Sequence, residues 1–386
     1  MKAKLPPQSF QVFSCQSAQS STFNLDLQSD ALLSQPNHRV AYPSLSALGV
    51  TPLSHDILSR VSADQTQPGG QNVRASNVIA IVGPTASGKS TLGIEVALHL
   101  GGEIINCDSV QVYQGIQIAT AKVPLEERKG VPHHLIDFVP PQINYTAGEW
   151  AREAIAKIED IERRGLVPIL VGGTGLYLRA WRHPFFLSPQ TDEDVRRRIN
   201  EMRKSRGAEY LHRLLQRLDP KSAAELYPRD WPRVQRAIEV RLQTGKPMSE
   251  QKSERPEPHE SALRLRLVIL NPPRAELYRR INERTEQHFA EGLVEEVQTL
   301  LAEGVPAKSN ALGAHGYRRV VEYLEGKRDL PSAIEQTKQD VRNYAKRQLT
   351  WFRRESRAEW FEGFGEDPEL FVSVLKTIQR AQQPIQ

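Results

Sequence analysis

The stretch "NVIAIVGPTASGKSTLGIEVALHL", residues 77–100, constrains the fold more than any other part of the chain. An unbroken apolar run reads as a strand covered on both faces. A glycine-bearing loop follows, and an amphipathic helix begins at the lysine. Gly83, Gly88, Lys89 and Ser90 satisfy G-x-x-x-x-G-K-[ST] in that strand–loop–helix context. Glycines let backbone N–H groups converge on phosphate oxygens, and the helix N-terminus adds its partial positive charge. The phosphate cradle is therefore read as Gly83, Pro84, Thr85, Ala86, Ser87, Gly88, Lys89 and Ser90. Lys89 is the point charge for a terminal phosphate, and Ser90 is the hydroxyl that can hold Mg²⁺.

Alternation of strand and helix continues beyond the loop. "GGEIINCD" reads as a second strand, "GEWAREAIAKIEDIERRG" as a long amphipathic helix, and "LVPILVGG" as a third strand. Such alternation implies a parallel sheet with right-handed crossovers. The expected fold is α/β, a P-loop NTPase-like parallel sheet flanked by helices, with a helical insertion domain. The insertion is placed at 188–258, where the pattern breaks after "WRHPFFLSP". Within it, 192–217 reads as one helix with Val195, Ile199 and Met202 on one side. "LRLRLVIL" resumes the sheet, so 77–187 and 259–386 form the core. Farther on, Ile281, Phe289, Leu293 and Val297 share one helical stripe that ends at Gly304 and Pro306.

Residues 1–76 differ from the rest, with thirteen Ser, nine Gln and no Glu. They lack a core-forming pattern and are expected to be a disordered extension or a misassigned start. No window approaches the roughly 18 apolar residues of a membrane span. Cys15 and Cys107 are the only cysteines, which excludes a disulfide framework and a four-thiolate zinc site and suits a reducing, cytoplasmic setting. A net charge of +5 permits a polyanionic partner without requiring one.

Several further residues are candidates for chemistry. Parallel strands bring their C-terminal ends to one edge, so Asp108 in "INCDSVQVY" should face the loop across a crevice. It can serve as a magnesium ligand or as a general base; the plainer reading is a turn cap. Thr174 in "VGGTGLYL" offers a hydroxyl to the same crevice. Cys107 alternates away into the core. His133 and His134 alternate sides, make a poor metal pair, and read as structural.

Taken in order, these stretches resemble one family, the tRNA dimethylallyltransferases, also called tRNA isopentenyltransferases. The resemblance runs from about Val78 to Trp360. It is carried by "GPTASGKS", "DSVQVYQGIQIATAK", "PHHLID", "YTAGEW", "ILVGGTGLYL", "RVQRAIEV", "LYRRINERTEQHF", "HGYRRVVEYLEG" and "RNYAKRQLTWFR". It implies transfer of a dimethylallyl group from dimethylallyl diphosphate to N6 of the adenosine 3′ of the tRNA anticodon. The loop would then hold the donor's diphosphate, with Mg²⁺ as cofactor. By the same match Asp108 is the general base, assisted by Lys89, and Thr174 borders the substrate channel. The match also assigns contact with tRNA to Asp108, Ser109, Val110 and Gln111, to Pro232, Arg233, Val234, Gln235 and Arg236, and to Gly313, Ala314, His315, Gly316, Tyr317 and Arg318.

The chain departs from the family pattern at three positions. Ala119 stands in place of a usual Gly, His315 of an apolar residue, and Val341 of a Thr; none is expected at the loop or Asp108. A different enzyme class, adenylate isopentenyltransferase, shares the fold and loop but prenylates free AMP, ADP or ATP. Against it stand the arginine-bearing insertion, Arg196 included, and the seven basic residues interleaved with aromatics between Lys338 and Arg357. A nucleotide kinase leaves "DSVQVY" unexplained, and a non-catalytic RNA-binding protein needs no intact loop. The chain is thus expected to be a monomeric enzyme with tRNA and dimethylallyl diphosphate as partners and no membrane association.

Overall fold

The computed structural model describes residues 77–186 and 189–380. The expectation for residues 1–76 lies outside the described residues. Six strands form one sheet in the order β3-β2-β4-β1-β5-β6, and every pairing is parallel. They are β1 (Val78–Val82), β2 (Gly102–Asn106), β3 (His133–His134), β4 (Val167–Gly172), β5 (Leu265–Leu270) and β6 (Ala358–Phe361). The strands alternate between two buried faces. Val78, Ala80 and Val82 join Ile105, Leu170 and Ile269 on one side, under Trp150 and Trp181. Ile79 and Ile81 join Ile104, Ile169 and Val268 on the other, under Leu92, Val96, Leu370 and Val374. A sheet covered on both faces needs the near-continuous apolar strands read from the sequence.

Helix α1 (Lys89–Leu100) and helix α14 (Pro368–Arg380) supply the second cover. Helix α2 (Ala147–Arg163) and helix α3 (Gly175–Arg182) supply much of the first. A capping box starts α2: Thr146 Oγ1 accepts the Glu149 N–H at 3.2 Å, and Glu149 Oε2 accepts the Thr146 N–H at 2.7 Å. His133 and His134 make β3; His134 Nε2 lies 2.7 Å from Glu103 Oε2. Arg164 and then His134 hold the Glu103 carboxyl down to about 2, against the opposing effect of burial. The two histidines are thus structural.

Residues of the insertion gather around a cluster of their own. Helices α4 (Glu193–Arg206), α5 (Ala208–Leu218), α6 (Pro220–Glu225), α7 (Trp231–Thr244) and α8 (Met248–Gln251) enclose Ile199, Leu211, Leu215, Val234 and Ile238. The single helix expected over 192–217 is two helices. Gly207 takes φ +82°, a left-handed value that ends α4 and redirects the chain. The long stripe from Ile281 to Val297 is likewise two helices. After α9 (Glu260–Leu263) and β5 come α10 (Arg274–Ala290) and α11 (Leu293–Ala302), parted by Gly292 at φ +99°. Helices α12 (Tyr317–Leu324) and α13 (Leu330–Phe352) follow, and α13 packs along α10.

Strand order fixes the geometry of the crevice. The loop follows β1, Thr174 follows β4 beside it, and Asp108 follows β2 one strand farther out. With strands spaced about 4.8 Å apart, Asp108 sits two spacings from the loop's strand, and the turn after β4 fills the gap. A Cβ added to Gly172 in that turn would lie 2.1 Å from the Cys107 carbonyl oxygen. The Gly172→Ala substitution is therefore expected to push the ends of β2 and β4 apart and cost about 1–3 kcal/mol, as overpacking does. Urea unfolding measures it, and a variant as stable as the parent would refute the close approach.

Candidate active site

The loop between β1 and α1 is tightly bent, with Ala86 at φ +61° and Gly88 at φ +77°. Lys89 Nζ folds back to donate to the Pro84 carbonyl at 3.3 Å. Burial lowers the Lys89 ammonium to about 8; Asp108 pulls it upward, and Arg284 pushes it down further. Three groups from distant parts of the chain therefore feel one another across the crevice. Behind the loop, the Gly365 N–H donates to the Ser87 carbonyl at 2.9 Å, and Glu366 packs against Gly88.

Asp108 does cap its turn: Oδ1 accepts the Val110 N–H at 2.9 Å and the Gln111 N–H at 3.4 Å. That role occupies one oxygen, and Oδ2 accepts no hydrogen bond from the described residues. Capping and catalysis are thus compatible. The neighbours of Asp108 are tied to Thr174, whose N–H donates to the Cys107 carbonyl at 3.1 Å and whose Oγ1 accepts the Ser109 N–H at 3.0 Å. Cys107 is buried in the core as expected. Gln111 spends its amide nitrogen on the Thr120 and Ala121 carbonyls, at 2.9 and 3.1 Å.

Two cavities meet at Asp108. A chamber of about 680 Å³ carries Asp108, Ser109, Val110, Thr174 and the aromatic rings of Tyr113, Tyr145, Tyr177, Phe289 and Tyr344. A vestibule of about 900 Å³ carries Gly88, Lys89, Ser90, Arg280 and Arg284. Thr85, Ala86, Asp108, Arg284 and His288 line both. Burial lowers the Arg284 guanidinium, and it pushes the His288 imidazole down to about 4, so His288 is neutral near pH 7. The chamber is thus walled mainly by aromatic and apolar side chains, whereas the vestibule is polar and mixed in charge: Lys89, Arg280 and Arg284 share it with Glu283, Glu291 and Glu366, and Asp108 stands between the two. Such a pair can hold an anionic head and an apolar tail together.

Other predicted residues divide. Gly313, Ala314 and His315 line the chamber. Gly316 takes φ +91° ahead of α12. Tyr317 is fully buried, donating to Glu296 Oε1 at 2.5 Å and accepting the Ala119 N–H at 3.3 Å, so it holds a turn and is not open to a partner. Arg318 is exposed and pairs with Glu322 at 3.3 Å. In α7, Pro232 and Arg233 are exposed, but Val234 is fully buried and Gln235 donates to Glu239 at 3.0 Å. Arg196 and Arg236 both close on the fully buried Glu239, at 3.0 and 3.2 Å. Burial therefore divides 232–236: Val234 and Gln235 are interior, Pro232 and Arg233 are exposed, and the partly exposed Arg196 and Arg236 tie α4 to α7 through Glu239.

All three departures from the family pattern, Ala119, His315 and Val341, line the chamber with Asp108. They stand closer to the chemistry than the sequence suggested. Sequence reasoning passed over Arg280, Arg284 and His288. Their signal is a spacing of four along α10, a polar stripe that a helix turns to one side. Tyr344, one of the aromatics interleaved with the basic residues of 338–357, lines the chamber together with Thr174.

The fold and site define a P-loop α/β transferase with a helical insertion, built for an anionic head next to an apolar chamber. The IPP transferase family pattern matches residues 111–355. The tRNA dimethylallyltransferase of Geobacter metallireducens is 46% identical over 78% of this chain and 96% of its own length. That of Koribacter versatilis is 45% identical over 78% of this chain and 98% of its own. The tRNA isopentenylpyrophosphate transferase of Bacillus halodurans superposes with a TM-score of 0.57 at 38% identity, covering 79% of this chain and 98% of that one. A eukaryotic dimethylallyltransferase, solved acting on tRNA, gives a TM-score of 0.65 at 28% identity, with 81% of each chain covered. The chain belongs to the IPP transferase family.

The low Lys89 value carries a pH dependence. An anion in the vestibule binds best while Lys89 is protonated, so the affinity for inorganic diphosphate should fall as pH rises through about 8. Lys89→Arg, charged throughout, should remove that step. Calorimetric titration between pH 7 and 9.5 tests it; equal slopes for both proteins would exclude Lys89 as the titrating group.

Proposed function

We propose that the chain is a tRNA dimethylallyltransferase that moves a dimethylallyl group from dimethylallyl diphosphate to N6 of the adenosine 3′ of the anticodon. The observation that carries this reading is the junction, at Asp108, of an aromatic chamber and a polar vestibule that holds Lys89 of the phosphate loop and Arg284. The named relatives act on tRNA, which favours tRNA over free adenylate as acceptor.

In the proposed reaction the bond from the allylic carbon to the diphosphate oxygen breaks, and a bond from that carbon to N6 forms. An adenine amine is a weak nucleophile because its lone pair is delocalised into the ring. Lys89, Arg284 and the loop amides stabilise the charge growing on the departing diphosphate. Asp108 takes the N6 proton, and Oδ2 is the oxygen free to do so. Thr174 and Tyr344 wall the channel beside it. An anticodon loop lowers the cost of unstacking the target base.

Mg²⁺ is the proposed cofactor, and it would neutralise charge on the diphosphate. Among the described residues no three His, Cys, Asp or Glu side chains form a metal cage. That suits Mg²⁺, which keeps several waters and leans on substrate phosphates. Ser90, in the vestibule beside Lys89, would hold it.

Residues 188–258 are proposed as a tRNA-binding insertion between the two parts of the core. Support comes from a concavity of about 370 Å³ lined by Arg196, Arg197, Lys204 and Lys308. Lys308 also lines the chamber, so this basic surface adjoins it. Among the described residues no helix is long and apolar enough to cross a membrane. A monomer in the cytoplasm is the proposed working form.

Incubation with labelled dimethylallyl diphosphate and either tRNA or AMP, followed by nucleoside analysis, tests the reading; label in AMP alone would overturn it. Asp108→Asn should slow transfer by roughly 10²–10⁴-fold while tRNA still binds, because only the proton acceptor is lost. A variant turning over at the parent's rate would remove Asp108 from the mechanism.

Arg233 and Arg347 are exposed, and Arg347 lies over the ring of Tyr344 at 5.7 Å, beside the chamber. Neutralising both should reduce the slope of log affinity against log salt concentration for tRNA binding by roughly 0.7–0.9 per lost phosphate contact. Salt titrations of the parent and the double variant measure it, and identical slopes would place the footprint elsewhere.

A further inference from the structure

Gln348 lies on α13, far in sequence from every motif of the crevice, and is 4% exposed. Its carboxamide bridges two of those motifs. Oε1 accepts the Thr85 N–H of the phosphate loop at 2.9 Å, and Nε2 donates to the Gly173 carbonyl at 3.0 Å. The partners fix the orientation of the amide, since the reversed one would set donor against donor and acceptor against acceptor. No other uncharged side chain of this length offers both functions.

The contact belongs to a wider register. Tyr344, Gln348 and Trp351 occupy one face of α13 at i, i+4 and i+7. Tyr344 shares the chamber wall with Thr174, Gln348 bonds Gly173, and a Cβ on Gly175 would lie 2.2 Å from Trp351. The helix is thus laid against the turn after β4, residue by residue. A Cβ on Gly173 would lie 2.1 Å from Gln348 Nε2, so a glycine is what lets the amide in. The Gly173–Thr174 turn in turn bonds Cys107 and Ser109, the residues on either side of Asp108.

We propose that Gln348 is a positioning residue that sets the distance between the phosphate loop and the wall carrying Asp108. The chain of contacts runs from Thr85 through Gln348 to Gly173 and Thr174, and from there to Asp108. The loop and Asp108 lie beyond the last paired residues, Val82 and Asn106, so sheet pairing sets the strands two spacings apart without fixing the separation of these two groups. Misplacement of about 1 Å between reacting groups can cost roughly 100-fold in rate. The inference rests on the proposed reaction for its rate effect, but not for its effect on the loop.

The test uses Gln348→Met, which keeps length and loses both hydrogen bonds. Transfer should fall roughly 10- to 100-fold, with tRNA affinity unchanged and inorganic diphosphate binding weakened about 3- to 10-fold by calorimetry. In an Asp108→Asn background the same change should cost little more than about 3-fold, because residues acting through one another are not additive. Gln348→Glu is the second variant: its protonated acid can serve both partners, so its rate relative to the parent should rise as pH falls from about 8 to 6. Equal fold losses in both backgrounds, or unchanged transfer and diphosphate binding, would overturn the proposal. So would a Glu variant whose relative rate ignores pH, if the Met variant does not fold. A parent protein that binds diphosphate but transfers nothing to tRNA would instead overturn the proposed function, leaving the calorimetric effect of Gln348→Met to decide this inference.

Discussion

The site depends on how closely the strand ends of a parallel sheet can approach at their C-terminal edge. The phosphate loop leaves β1, Thr174 follows β4, and Asp108 follows β2, which lies beyond β4 from the loop. The middle position has room for backbone only. A side chain at Gly172 would press on the Cys107 carbonyl, and one at Gly173 would displace the Gln348 amide. With those places clear, the Thr174 hydroxyl and backbone reach both neighbours of Asp108. A carboxylate two strands away thereby becomes a wall of the phosphate site.

Electrostatics then divides the space. Burial lowers both Lys89 and Arg284; Asp108 favours the Lys89 charge and Arg284 disfavours it, while Glu291 and Glu366 favour the charge of Arg284. Both groups stay below their ordinary values despite those carboxylates, so an anionic ligand would offset part of the cost of burying them. The chamber beyond Asp108 has the opposite character, with aromatic walls and the neutral His288. A substrate carrying a charged head and an apolar tail gains from both environments only when it lies across Asp108. Orientation and chemistry are set by the same gradient in polarity.

The insertion separates two uses of arginine. Arg196 and Arg236 converge on Glu239, which has no solvent exposure, and removing either would leave that carboxylate underpaired. These side chains hold α4 to α7. Arg233 stays exposed, and its only ion pair among the described residues, with Asp230 at 3.2 Å, is open to solvent. A count of basic residues along a helix does not distinguish the two, because the deciding partner is elsewhere in the chain.

Local chemistry made part of this protein legible in its sequence. Apolar runs, the glycine spacing of 83–90 and the alternation of strand and helix fix the parallel sheet and the loop, since each depends on neighbours a few residues away. The position of Asp108 at a strand end followed from the rule that parallel strands share a C-terminal edge. Helix breaks at Gly207 and Gly292 escaped the reading because periodicity continues across them while the backbone turns left-handed. Tertiary structure alone decided that Tyr317 and Val234 are interior, that Arg196 pairs with Glu239, and that Ala119, His315 and Val341 share a chamber with Asp108. It alone brought Arg284 and Gln348 to the loop. Those outcomes depend on contacts between segments up to 263 residues apart, and side-chain pairing over such distances is set by packing, which no local pattern encodes.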